Sequence, residues 1–217
     1  MRVRVEARTA DGAVRHNELL NHGEDPARLL ATAGWEPRWV GADRIVTAEG
    51  VSEVVLRYAV APGERTHPYQ RLSTYAVVTG LVDGTLCVLL TSFSDPRSRL
   101  WGLPGGGMDE GEDPLQAVHR EVWEETGQHI DVTSAHCVDT DHWVGRAPNG
   151  RFEDYHPVRM VYAARCPHPT EPVVHDVGGS TASARWVPVD TWESGPPVQA
   201  WGAAVLRDVL QGVLGHP

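Results

Sequence analysis

One stretch constrains the fold more than any other: the run from Gly105 to Gly127. It opens with a glycine triplet, Gly105 to Gly107, passes through an acidic link from Asp109 to Asp113, and ends in a segment patterned as a helix. Asp113 is a good N-cap, and Pro114 suits the first helical position, where no N–H is needed. Gln116, three past the cap, completes a capping box, and Gly127 supplies the left-handed residue that ends such a helix. Leu115, Val118 and Val122 fall at i, i+3 and i+7, which predicts a buried stripe. Glu121, Glu124 and Glu125 stand at i, i+3 and i+4, so three carboxylates share one face of the last turn.

Like charges at that spacing repel, and the helix macrodipole disfavours anions at the C-terminal end. Selection for stability alone would place lysine or arginine there. The acids make sense if a hard cation with oxygen ligands, such as magnesium or manganese, occupies that face. The glycine-rich loop ahead of the helix can curl tightly and bring bare backbone to a phosphate and to the same ion. Arg120 lies four residues before Glu124 and can pair with it, either to orient a ligand carboxylate or as a purely structural bridge.

Gly106, five residues, Glu112, seven residues, and then Arg120-Glu121-Val122-Trp123-Glu124-Glu125-Thr126-Gly127 together resemble the Nudix box, the signature of the Nudix hydrolase superfamily. Seven fixed positions match by chance at on the order of 10⁻⁸ per starting point, which disfavours a merely solvated acidic helix. The one departure is Gln128, where the family usually has an aliphatic residue; Ile130 is expected to supply that packing, with a local shift at the helix exit and no loss of chemistry.

The resemblance implies an α/β fold, a Nudix-type α/β/α sandwich with a mixed β-sheet. It implies Mg²⁺ (or Mn²⁺) held by Glu121, Glu124, Glu125 and the backbone carbonyl of Gly105. Glu124, Glu125 and Arg120 are the expected catalytic set, and Gly106, Glu112 and Gly127 the structural positions of the box. Glu112 is expected to tie the loop to the helix by accepting loop N–H bonds. The proton acceptor is a box glutamate, Glu124 or Glu125, or an acid from a later loop, with Glu153, Asp154 and Asp176 as candidates.

Around the box, strand and turn signals give the rest. Residues 1–66 read as a β-α-β-β extension or small lobe: a strand over Arg2 to Arg8, a helix from Ala27 to Ala33 opened by Asp25-Pro26 and closed by Gly34, and strands over Arg44 to Ala48 and Val54 to Val60. Residues 61–71 form a junction, and residues 67–217 the box-bearing domain. Thr74 to Val82 and Thr85 to Thr91 make a hairpin on an Asp83-Gly84 turn, both strands apolar enough to be covered on two faces. Ile130 to Thr140, Val158 to Cys166 and Ala184 to Val189 are further strands, with a turn at Asn149-Gly150. Asp190 is read as a cap on a turn at Thr191-Trp192, and Val198 to Leu210 as a closing helix with Val198, Trp201, Val205 and Val209 facing inward. Trp35 and Trp39 are assigned to packing.

The remaining composition narrows the partners. A net charge of −10 with no basic run argues against polymeric nucleic acid but accommodates a nucleotide held through a cation. No apolar stretch approaches a membrane span, and the N-terminal residues lack an apolar signal core. Cys87, Cys137 and Cys166, odd in number and far apart, read as reduced thiols of a cytoplasmic protein. The histidines and cysteines lack a structural-zinc spacing. Trp101, Trp143 and Phe152, with Tyr155, are the aromatic candidates for stacking on a base.

The expected function is a hydrolase acting on phosphoric anhydrides, a Mg²⁺-dependent Nudix pyrophosphohydrolase that cleaves a nucleoside diphosphate linked to another moiety: a nucleotide-sugar, an ADP-ribose-like compound or a modified nucleoside triphosphate. The alternative is a Nudix-fold ligand-sensing or binding module without turnover. The residues near Val144 and Gly145 match neither the ADP-ribose nor the dinucleoside-polyphosphate sub-signature. The N-terminal extension is compatible with a homodimer contact or with shaping the substrate pocket.

Overall fold

The structure, a computed structural model of the 217-residue chain, describes residues 2–63, 68–95, 98–146, 152–176 and 178–214. In chain order the elements are β1 (Arg2–Arg8), β2 (Val14–Leu19), α1 (Pro26–Thr32), β3 (Trp35–Val46), β4 (Ser52–Pro62), β5 (Pro68–Val82), β6 (Thr85–Phe93), β7 (Trp101–Gly102) and β8 (Gly105–Gly107). They continue with α2 (Pro114–Thr126), β9 (Asp131–Thr140), β10 (Trp143–Arg146), β11 (Phe152–Arg165), β12 (Thr181–Pro188) and α3 (Ala200–Leu214). The chain divides into two compact units, Met1–Gln70 with Asp141–His156, and Arg71–Thr140 with Pro157–Pro217.

The first unit is a four-stranded mixed sheet in the order β2-β1-β4-β3, with β1 parallel to β4 and the other pairs antiparallel. Asp25 caps α1 through the Arg28 N–H at 2.8 Å, with Pro26 in the first turn. Leu30 of that helix is buried with Val5, Ala7 and Val60, and Trp35 and Tyr58 pack against them. Trp39 is instead 52% exposed and meets Tyr58 edge-on at 5.4 Å. The order is β-β-α-β-β, where the sequence predicts β-α-β-β. Val14–Leu19 has mostly exposed, polar residues and no apolar alternation to announce a strand, and β3 begins at Trp35, nine residues before its predicted start at Arg44.

Residues 141–156 belong to this unit as well, where the sequence division assigns them to the box-bearing domain. β10 pairs antiparallel with the start of β11, Trp143 opposite Tyr155. The side chain of Asp154 is wholly buried; His142 Nε2 lies 2.6 Å from one of its oxygens and Arg28 Nε 3.4 Å from the other. Arg28 and Asp154 are far apart in sequence, so no local signal marks the association. The predicted Asn149-Gly150 turn lies outside the described residues.

In the second unit the β5–β6 hairpin is central. Asp83 and Gly84 both take positive φ, 47° and 79°, as the two-residue turn requires. The strand order runs β11-β5-β6-β12, with β9 on β11, β8 on β5 and β7 on β6. Alternate residues of the hairpin enter different cores: Val77, Val88 and Leu90 pack with Val205, Leu206, Val209 and Leu210 of α3. Ala76, Val78 and Leu89 pack with Val118 and Val122 of α2 and with Ile130. A helix on each face makes this unit the expected α/β/α sandwich. α3 starts at Ala200, and Val198 forms a parallel bridge to Trp101. The turn at Trp192–Ser194 is capped by Thr191 without a side-chain bond, so Asp190 does not serve as its cap.

Two residues of α2 and its exit depart from the simple pattern. Leu115 is 48% exposed, because the apolar cluster beneath the helix begins at Val118 and the first turn precedes it. Gln128, in the aliphatic position of the box, is buried with its amide fully engaged: Nε2 donates to Thr126 O at 3.1 Å and Thr170 Oγ1 at 3.0 Å, and Oε1 accepts the Thr170 N–H at 2.9 Å. Ile130, 6% exposed, supplies the packing. Replacing Gln128 by leucine restores the family's residue type but strands the Thr170 N–H, so chemical denaturation of Gln128→Leu is expected to show a loss of about 1–3 kcal/mol.

Candidate active site

The glycine triplet is a strand edge. β8 pairs with β5, placing Gly105 opposite Tyr75 and Gly106 opposite Thr74. Gly105 has φ +142°, and a Cβ there would stand 2.1 Å from the carbonyl oxygen of Thr74. At Gly106 a Cβ would lie 2.6 Å from Glu121 Oε2, so the missing side chain is what lets that carboxylate lie against the loop.

α2 brings the acids to this edge. Its N-terminus carries the predicted capping box: Asp113 accepts the N–H groups of Leu115 and Gln116, and Gln116 accepts the Asp113 N–H. Gly127, at φ 69°, closes the helix with its N–H on Trp123 O at 2.7 Å. Arg120 is the hub between loop and helix. Its Nε and Nη2 grip both oxygens of Glu112 at 2.8 and 2.9 Å, and Nη2 also donates to Gly107 O at 2.9 Å. Nη1 is shared by Glu121 Oε1 at 3.1 Å and Glu124 Oε2 at 3.0 Å. Glu112 completes the tie by accepting the Asp109 N–H at 3.0 Å.

These contacts set the electrostatics. The Arg120 bonds hold the Glu112 carboxyl below its ordinary range, and Arg120 itself is raised, chiefly by Glu112. Burial pushes Glu121 up, with Arg120 opposing. Glu125 is the extreme case. It is 5% exposed, and its oxygens accept the Gly105 N–H at 2.8 Å and the Thr181 hydroxyl. Burial above all, with smaller contributions from Glu121 and Asp176, pushes it up to about 7 against the downward pull of those two bonds.

Among the described residues no three acid, histidine or cysteine side chains already converge as a metal nest, since Glu121 and Glu124 turn to Arg120. The donor set nonetheless fits a hard divalent cation. Every side-chain donor is a carboxylate oxygen, Glu112, Glu121 and Glu124 crowd one guanidinium, and Glu125 is a buried acid whose bonded partners are neutral.

The structure thus brings Gly105, Gly106, Glu112, Arg120, Glu121, Glu124, Glu125 and Gly127 together. Trp101 packs against the α3-side core, with the Arg185 guanidinium 4.4 Å from its ring centroid. Trp143 and Phe152 belong to the first unit, where Trp143 tilts against Tyr155 at 5.7 Å. Glu153 and Asp154, expected on a loop, lie on β11 of that unit, and Asp154 is occupied by His142 and Arg28. Asp176 does reach the box, its N–H on Glu124 O at 3.0 Å. Sequence reasoning missed Thr181 and Arg71. Thr181 is 56 residues from its partner, and the nearness of Arg71 to Glu121 has no local signature.

The NUDIX domain pattern matches residues 70–209, and the chain belongs to that family. It is similar to an RNA pyrophosphohydrolase of Mesorhizobium japonicum, 44% identical over 61 residues, 25% of this chain and 35% of that protein. An RNA pyrophosphohydrolase of Brucella anthropi is 31% identical over 111 residues, 48% of this chain and 61% of that protein. The chain spans less than two thirds of the length of these relatives. Among solved structures, the NUDIX domain of Shewanella oneidensis NrtR, complexed with ADP ribose, has a TM-score of 0.51 at 24% identity, covering 67% of this chain and 89% of that one; it shows the shared fold. Among the described residues no helix is long and apolar enough to cross a membrane.

A carboxyl raised from its ordinary range to about 7 binds more protons in the folded state than in the unfolded one. Stability of the metal-free protein therefore falls as pH rises through about 4.5 to 7, by on the order of 3 kcal/mol for a shift of this size. Glu125→Gln keeps an acceptor for Gly105 without the charge. Thermal denaturation without divalent ions is expected to show this variant more stable than the native chain at pH 8, with the difference vanishing below about pH 4.5.

Proposed function

We propose that this protein is a Nudix hydrolase acting on pyrophosphate bonds, with a nucleoside diphosphate linked to another moiety as its substrate class and Mg²⁺, or Mn²⁺, as its cofactor. The observation that carries the reading is Glu125: a buried acid facing two more carboxylates, with neutral partners, on the helix that Arg120 fastens to the glycine strand. Glu121, Glu124, Glu125 and the Gly105 carbonyl would hold the cation. When bound, such an ion neutralises phosphate oxygens and lowers the pKa of an attacking water. The chain's own residues do the positioning. Arg120 holds Glu121 and Glu124 on one side of the helix, the Gly105 N–H and Thr181 fix the Glu125 carboxylate, and the bare Gly106 lets Glu121 lie against the glycine strand. Glu124 and Glu125 are the box candidates for the proton acceptor.

The relatives are named RNA pyrophosphohydrolases, which adds a second candidate substrate, a pyrophosphate group on an RNA, beside the small molecules expected from the acidic charge. The free thiols of Cys87, Cys137 and Cys166 support a cytoplasmic setting. We assign catalysis to the second unit and partner or substrate-shaping contacts to the N-terminal region.

Phosphate or nucleotide release should be measured on ADP-ribose, nucleotide-sugars, modified nucleoside triphosphates and a 5′-triphosphorylated oligoribonucleotide, with and without Mg²⁺. Turnover on at least one substrate is expected, lost on chelation and reduced by at least about 100-fold in Glu124→Gln and Glu125→Gln. Tight binding of a panel member with no metal-dependent turnover on any would replace this reading with that of a binding module.

A further inference from the structure

The three glycines of β8 face two ways. Residues directly opposite each other on paired strands project to the same face, and neighbours along a strand to opposite faces. Gly106, opposite Thr74, looks toward Glu121 of α2. Gly105 and Gly107, opposite Tyr75 and Ser73, look toward the face that α3 covers. A Cβ on Gly107 would stand 3.0 Å from Arg71 Nη2 and 3.4 Å from its Nε, so the missing side chain is what lets the Arg71 guanidinium lie on the strand. The carbonyl of the same glycine accepts Arg120 Nη2 at 2.9 Å. Gly107 thus adjoins two guanidiniums, and they are used differently.

Arg120 is spent on Glu112, Glu121 and Glu124. Arg159, on the α3-side face, is committed too: its side chain is 14% exposed, bonded to Asp139 Oδ2 at 2.6 Å and 4.8 Å from the Trp201 ring centroid. Arg71 is exposed, because it precedes Tyr75 and Val77 on β5, where packing against α3 begins. Its charge reaches Glu121 and favours the ionised form. A cation held by the box neutralises phosphate oxygens only where it sits. A phosphate group beyond its reach enters surroundings set by the box acids, on a chain of net charge −10, and needs a positive partner of its own. A guanidinium matches phosphate oxygens with paired N–H donors, whereas the hydroxyls of a sugar bring it no charge.

The geometry points to Arg71 as a specificity residue, seated by Gly107 to bind a phosphate group beyond the scissile diphosphate. The preferred substrate class is then one with three or more consecutive phosphates, ahead of nucleotide-sugars and ADP-ribose-like compounds. This rests on the metal-dependent reading above. An arginine that served only as a solvated surface charge would leave the discrimination between two and three phosphates untouched.

The test is isothermal titration calorimetry on the full-length protein with Mg²⁺, alongside thermal denaturation of each variant. Its probes are methylenediphosphonate and the longer bismethylene triphosphonate, whose P–C–P links resist hydrolysis. The native chain is expected to bind the triphosphonate about tenfold more tightly than the diphosphonate. Arg71→Ala should abolish that preference, and Arg71→Lys should keep about threefold of it, having the charge without the paired donors. Gly107→Ala keeps the arginine but pushes its guanidinium off the strand, and should likewise fall to about threefold. In turnover, Arg71→Ala should lower the ratio of kcat/KM for a modified nucleoside triphosphate to that for ADP-ribose about tenfold. A native preference in folded Arg71→Ala, or an equal loss of affinity for both probes, overturns the inference alone. Failure of the native chain to bind either probe in a Mg²⁺-dependent way overturns the metal-dependent reading and the inference with it.

Discussion

The site depends on one guanidinium holding acids that would otherwise push apart. Arg120 spans from the loop acid Glu112 to the helix acids Glu121 and Glu124, and reaches the glycine strand through Gly107 O. A partly buried charge network of this kind is a weak source of net stability, since desolvation offsets most of the attraction. Its value is geometric. Five donors in a fixed plane set the loop, the strand and the helix in one register, which a lysine could not do.

Glu125 stands outside that network, and its environment explains why the box tolerates it. Backbone N–H and hydroxyl donors soften the cost of burying a carboxylate without removing it. On the metal-dependent reading proposed above, a bound cation would offset what remains of that cost. The glycines belong to the same arrangement: with a side chain at Gly105 or Gly106, either β8 would part from β5 or Glu121 would leave the loop.

Much of the second unit was legible because its instructions are local. Asp113, Pro114, Gln116 and Gly127 each act within a few residues, and Asp83-Gly84 defines its hairpin alone. The two-sided covering of β5 and β6 followed from their continuous apolar runs. What escaped was either polar or remote. β2 carries no apolar alternation, Leu115 fits the helical period yet precedes the core, and Thr181 and His175 meet the box from about fifty residues away. Trp101 packs partly against the α3-side core, an association with Val198 that no local pattern announces.

The first unit is assembled from two separated stretches of chain, with the buried Asp154 of one answered by Arg28 of the other. A module built this way has no single seam. Cutting after the N-terminal seventy residues would leave Arg28 without its acid and Asp154 with His142 alone, so transfer of this unit between proteins takes two crossovers.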